Sequence, residues 1–87
     1  MNRGVLVLSR DELLELLKVY DISVNPEIPL SVKLNASLKS ISDVNNISVS
    51  AEELEILLDE IGIVGDDRPL LKNVVNKINA MILQWRV

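Results

Sequence analysis

Cysteine, histidine and phenylalanine are all absent from the 87-residue sequence. Without cysteine the chain forms neither a disulfide bond nor a thiolate nucleophile, and without histidine it lacks the commonest general base. Zinc and other transition metals are bound mainly by these two residues, so sites of that kind are excluded. Phosphate-binding glycine loops and the Gly-x-Ser-x-Gly nucleophile motif are missing as well. We therefore predict a protein that is not an enzyme and binds no metal ion or cofactor.

Aromatic residues and positive charges are also scarce. Aromatic residues make up 2% of the chain, and 13 acidic residues outnumber 9 basic ones, which gives a net charge of −4. Nucleic-acid-binding proteins stack aromatic side chains on bases and neutralise phosphates with cationic side chains. The composition therefore disfavours nucleic acids and anionic membranes as partners.

Long hydrophobic runs are missing too. The apolar run at residues 4–8 is shorter than the core of a signal peptide and is followed closely by Arg10, Asp11 and Glu12. No apolar window approaches the roughly 20 residues of a transmembrane helix. A chain of 87 residues suffices for one domain with a single core. The sequence therefore predicts one cytoplasmic domain that comprises residues 1–87.

An internal repeat organises this domain. Residues 8–23 recur as residues 49–64, with a shift of about 40 positions. The pairs that match across the shift are Ser9 and Ser50, Glu12 and Glu53, Leu13 and Leu54, Leu16 and Leu57, Leu17 and Leu58, and Pro29 and Pro69. We divide the domain into repeat 1, about residues 5–43, and repeat 2, about residues 46–87.

Each repeat predicts two helices. The first begins at a serine with a glutamate three positions later, which is the capping-box pattern of a helix N-terminus. Leucines at helical spacing then form one apolar face. The second helix begins at Pro29 in repeat 1 and at Pro69 in repeat 2, because proline suits the first turn of a helix.

The runs that precede these helices, residues 4–8 and 47–49, are rich in β-branched residues but short. We interpret them as extended lead-ins with at most a minor β-bridge between them. The predicted fold is therefore all-α, with four helices arranged as two pseudo-symmetric helix hairpins.

The loop of the first helix–loop–helix partly matches a calcium-binding loop. Positions 1, 3, 5 and 7 of an EF-hand loop are matched by Asp21, Ser23, Asn25 and Glu27. However, Pro26 replaces the required glycine and Val32 replaces the bidentate glutamate. The sequence therefore predicts no calcium site.

Residues 47–75 combine a strand-like start, a Glu-Leu helix, a Gly-Ile pair, a loop and a second helix. This order resembles the helix–extended-loop–helix DNA-binding modules of the SAP type. The resemblance implies phosphate contacts from Arg68, Lys72 and Lys77. The sequence departs from the pattern at Asp66 and Asp67, which occupy the loop where such modules place small and basic residues. Nucleic-acid binding is the first alternative function.

The function we predict is binding to another protein, as a small adaptor, inhibitor or assembly factor. Ile56 lies opposite the apolar stripe of its predicted helix and is surrounded by acidic residues. These are Glu52, Glu53, Glu55, Asp59 and Glu60. An apolar anchor within a charged rim is typical of a protein interface, and the acidic rim favours a basic partner. Further apolar residues off the predicted stripes make a structural homo-oligomer subunit the second alternative.

Overall fold

The computed structural model describes residues 3–85 as four helices and one two-stranded sheet. In chain order the elements are β1 (Arg3–Ser9), α1 (Arg10–Val19), α2 (Pro29–Lys39), β2 (Val44–Ser50), α3 (Ala51–Ile61) and α4 (Pro69–Trp85). The longest helix, α4, has 17 residues. Among the described residues, none of the helices has the length and apolar character needed to cross a membrane.

The all-α prediction is wrong. β1 and β2 pair as an antiparallel sheet along seven residues each, which is far more than a minor β-bridge. Side chains in both strands alternate between the core and solvent, as a half-buried sheet requires. In β1 the inward residues are Leu6 and Leu8, whereas Val5 and Val7 face outward. Every residue from 5 to 8 is apolar, so this alternation cannot be recognised from polarity.

The pairing of the strands reflects the internal repeat. Leu6 pairs with Ile47, and these two residues are separated by the same 41 positions as Ser9 and Ser50. A local twofold axis through this pair therefore exchanges the two strands. The structural unit that repeats is strand–helix–helix, and the sheet joins the two copies at their centre.

The prediction of two helix hairpins is also wrong. The helix α1 packs chiefly against α4 of the other repeat, and α2 lies mainly on β2. Leu13 and Leu54 are fully buried in the single core. Leu17 and Leu58, which the helical spacing of the leucines places on the same apolar face, are only half-buried, and Leu16 and Leu57 take the central positions. The sheet forms one wall of the core. The first helix of each repeat packs against that core with Leu16 or Leu57, so Leu17 and Leu58 lie at its edge.

Both predicted capping boxes are confirmed. The Ser9 amide donates to Glu12 Oε1 at 2.8 Å, and the Glu12 amide donates to Ser9 Oγ at 3.2 Å. The Ser50–Glu53 pair repeats these bonds at 2.9 and 3.2 Å. Each box connects a strand directly to a helix, since α1 and α3 begin at the next residue. At its other end α3 stops at Gly62, whose φ of 69° lies in the region that glycine adopts without strain.

Candidate protein-binding surface

The predicted partner-binding residues all lie on α3, but they do not all have the same environment. Ile56 is 39% exposed. Glu52 and Glu60 are exposed and line the cavities beside Ile56. Glu55 and Asp59 are also exposed, but they line a separate groove with Leu58 and Ile82. Glu53 differs, because its side chain is only 12% exposed and forms an ion pair with Lys33. Glu53 therefore belongs to the framework of the fold rather than to the rim of a binding surface.

Ile56 lies beside an apolar groove that the sequence did not predict. Two adjoining cavities, of about 370 and 130 Å³, share Ile28 and Ile56 in their walls. Val24, which is 69% exposed, lines the smaller cavity. We call this surface, formed by Val24, Ile28 and Ile56, the Ile56 groove. Its second wall is the loop between α1 and α2, whose apolar residues follow no helical or strand period.

Local hydrogen bonds hold this loop in place. Asp21 Oδ1 accepts bonds from the Ser23 amide at 2.9 Å and from Ser23 Oγ at 2.5 Å, which closes a tight turn. These bonds also lower the pKa of Asp21, because they favour its charged form. At the core side, the hydroxyls of Tyr20 and Ser31 lie 2.9 Å apart and connect the loop to α2. The groove therefore has one helical wall and one ordered loop wall.

The rim of the Ile56 groove carries uncompensated negative charge. Within residues 3–85, ion pairs neutralise only five carboxylates: Glu12, Glu15, Asp43, Glu53 and Asp66. Asp21 and Glu60 line the smaller cavity and Glu52 lines the larger one, and none of the three belongs to that set. Arg3 and Lys33 line the larger cavity only. The groove is thus acidic at its Glu60 end and of mixed charge at its Glu52 end.

The three cations implied by the SAP resemblance are each directed at an acidic side chain. A guanidinium nitrogen of Arg68 lies 3.7 Å from Glu15 Oε2, and Lys72 pairs with Asp66. Lys77 Nζ lies 2.6 Å from Glu12 Oε1. A nucleic-acid phosphate would have to compete with these carboxylates for each cation.

Lys77 and Lys33 make equivalent contacts in the two halves of the molecule. Lys77 Nζ donates to Glu12 and, at 2.9 Å, to the carbonyl oxygen of Val7. Lys33 Nζ donates to Glu53 at 2.8 Å and to the carbonyl oxygen of Ser48 at 2.8 Å. Each lysine therefore connects a capping box to the strand that precedes it, and satisfies a carbonyl group on that strand.

These contacts shift the pKa of both capping glutamates. Burial alone would raise the pKa of Glu12, but hydrogen bonds from Lys77 and Ser9 and the charge of Lys77 outweigh it, so the net pKa is lowered. The pKa of Glu53 is lowered in the same way, with Lys33 and Ser50 acting against burial. Both glutamates are consequently held in the charged form.

We expect the protein to lose stability in acid through these two groups. A carboxyl whose pKa is lower in the folded chain stabilises the fold fully above its unfolded pKa, and this contribution disappears as the pH falls through the folded pKa. An unfolded glutamate has a pKa of about 4.3, so the loss should begin near that pH and continue below it. Urea denaturation at a series of pH values would measure it. The Glu12→Gln/Glu53→Gln variant should lose less between neutral and acidic pH, and a decline as steep as that of the wild type would contradict this assignment.

Within residues 3–85, no three acidic side chains lie close enough together to hold a metal ion. Asp21, the first residue of the loop that partly matches an EF-hand, instead closes its own turn. Comparison with protein-family models, curated proteins and solved structures gives no match to this chain. The SAP resemblance therefore gains no support from these comparisons, and the function is argued from the geometry.

Proposed function

We propose that this protein is a non-enzymatic protein–protein interaction module that binds its partner through the Ile56 groove. The observation that supports this is the juxtaposition of three aliphatic side chains, from α3 and from the loop between α1 and α2, with carboxylates that form no ion pair within residues 3–85. Interfaces combine an apolar centre with a polar rim in this way. The role would be that of an adaptor, inhibitor or assembly factor. The cytoplasmic location inferred from the sequence remains a prediction.

The groove suits a partner that carries apolar and cationic side chains. Burying aliphatic surface stabilises a complex by about 25 cal/mol per Å² of area removed from water. The unpaired carboxylates at the rim would attract positive charge and accelerate association, and salt would weaken this attraction. Apolar contact would therefore provide most of the affinity, and charge would select the partner.

A homo-oligomer subunit is a second candidate because the outer face of the sheet carries three exposed valines. Val5, Val7 and Val44 are 53%, 44% and 60% exposed there. Sedimentation of the wild-type protein over a range of concentrations tests this role directly. This role would be supported by a stable dimer or larger assembly that dissociates in the Val5→Lys or Val7→Lys variant.

We expect Ile56→Asp to abolish capture of the partner without unfolding the protein. The substitution places a charge in the apolar centre of the groove, and truncating a central anchor typically costs about 2 kcal/mol or more of binding energy, a loss of about 30-fold in affinity. Affinity capture from the native host, followed by titration with the identified protein, would measure the loss.

Val32→Asp is the matched control, since Val32 is an exposed aliphatic residue on another helix and is 54% accessible. It should leave binding unchanged. The nucleic-acid alternative is tested by Arg68→Glu/Lys72→Glu, because the ion pairs of these residues are exposed and worth only about 0–1 kcal/mol each. The proposal is wrong if Ile56→Asp leaves capture intact while the double variant abolishes retention of DNA or RNA.

A further inference from the structure

The two repeats differ in charge at the C-terminal ends of their first helices. In α1 the last turn contains Lys18, whose Nζ lies 2.6 Å from Glu15 Oε1. The position equivalent to Lys18 in α3 is Asp59, and Glu60 follows it. The last turn of α3 contains no basic residue. One repeat thus ends its helix with a cation, and the other ends it with two anions.

Acidic side chains at this end of a helix are unfavourable for the fold. The carbonyl groups of the last turn carry partial negative charge, which attracts cations and repels carboxylates. Glu55 and Asp59 are also four positions apart on the same helix, where like charges repel. Among the described residues, neither Asp59 nor Glu60 forms an ion pair that would relieve this repulsion. Asp59 and Glu60 are therefore not explained by a contribution to the stability of the fold.

The apolar groove lies directly beside this unfavourable charge. Glu60 and Asp21 line the same small cavity as Val24, Ile28 and Ile56. Among residues 3–85, no lysine or arginine lines that cavity, whereas the larger cavity includes Arg3 and Lys33. A cationic group in a bound partner would therefore be favoured at one end of the groove only.

We propose that the partner's binding segment is a short amphipathic peptide whose aliphatic side chain contacts Ile28 and Ile56 and whose lysine or arginine is held between Asp21 and Glu60. This deepens the proposed function and rests on it. The cation would meet two carboxylates, one of which belongs to the last turn of α3. The bound partner would thus place at the end of α3 the positive charge that Lys18 places at the end of α1.

Two substitutions in the last turn of α3 test this assignment. Glu60→Lys and Asp59→Lys both place a cation at the same helix end, so each should raise the melting temperature of the free protein. They differ in position, because Glu60 lines the Ile56 groove whereas Asp59 lines another groove, with Leu58 and Ile82. Asp59→Lys is therefore a control for both net charge and helix stability.

The probe is a synthetic amphipathic peptide of roughly 14 residues, about four helical turns, with leucines on one face and lysines on the other. Companion peptides replace the lysines by glutamate or the leucines by serine. Fluorescence anisotropy at low and physiological salt measures binding. We expect Glu60→Lys to weaken binding of the lysine–leucine peptide about tenfold, the effect of 1.4 kcal/mol, and Asp59→Lys to weaken it much less. Both companion peptides should bind poorly to the wild type.

Several outcomes would overturn the inference. Equal weakening by both lysine substitutions, or equal binding of the serine-containing peptide, would show unspecific attraction between opposite charges. If Ile56→Asp abolishes capture of the native partner but Glu60→Lys does not weaken peptide binding, the cation site is wrong and the proposed function stands. If peptide binding and partner capture are both insensitive to Ile56→Asp, the proposed function fails as well.

Discussion

Leu54→Ala should reduce the free energy of unfolding by about 2–5 kcal/mol, and Leu13→Ala should do the same. Both leucines are fully buried and occupy equivalent positions in the two repeats. Truncation removes their contacts and leaves a cavity that the surrounding side chains fill only in part. Globular proteins have stabilities of roughly 0.05–0.15 kcal/mol per residue, so the loss would be a large share of the total in a chain this short. Either variant should therefore be close to unfolding at 37 °C.

Urea denaturation followed by circular dichroism would measure these losses. Leu14→Ala is the matched control, since Leu14 directly follows Leu13 but is 42% exposed. We expect it to cost less than about 1 kcal/mol. Equal losses for Leu13→Ala and Leu14→Ala would mean that α1 presents a different face to the core.

Replacing both capping glutamates, Glu12→Ala with Glu53→Ala, should have a comparable effect. Each substitution removes the bond that the glutamate accepts from the N-cap amide, while the serine cap itself remains, and it leaves a lysine without its carboxylate. Lys77 and Lys33 are 42% and 30% exposed, so water partly compensates them. We expect about 1–3 kcal/mol for each substitution, and additive losses in the double variant because the two sites share no partner.

Glutamine substitutions separate the two contributions. Glutamine at the third helical position can still accept the bond from the N-cap amide, so Glu12→Gln removes the charge while retaining the box. Thermal and urea denaturation of the single and double variants would give the loss of stability caused by each substitution. If Glu12→Gln is as stable as the wild type, the attraction between the charges of Lys77 and Glu12 contributes nothing to stability. A double variant that loses much more than the sum of its parts would show that the two halves are energetically coupled.

Local signals in the sequence were sufficient to place the helices. The serine–glutamate boxes and the two prolines mark helix starts through bonds and torsion angles that involve only neighbouring residues. The strands were missed because their evidence is distant: Leu6 pairs with a residue 41 positions away, and valines follow leucines without polar residues to mark the outer face. The packing of α1 on α4 of the other repeat was missed for the same reason, since the repeat pattern is compatible with packing inside a unit or across units.

The candidate site was predictable in part. The position of Ile56 among acidic residues follows from helical geometry, so the exposed face of α3 could be derived from the sequence. The groove could not, because its other wall is an irregular loop whose path depends on the turn at Asp21 and the contact between Tyr20 and Ser31. Glu53 was placed on the rim because nothing local shows that Lys33, 20 positions earlier, reaches it.

The sheet at the local twofold axis also has a consequence for the ancestry of the fold. Each strand–helix–helix unit finds its strand partner in the other unit, and α1 packs chiefly on a helix of the other unit. In this respect the chain has the architecture of an interlaced dimer whose two subunits have been fused end to end. A gene that encodes one unit could build the same architecture by pairing two identical products, and duplication with fusion would then free each half to diverge. The different charges at the ends of α1 and α3 are the kind of asymmetry that a dimer of identical subunits cannot acquire.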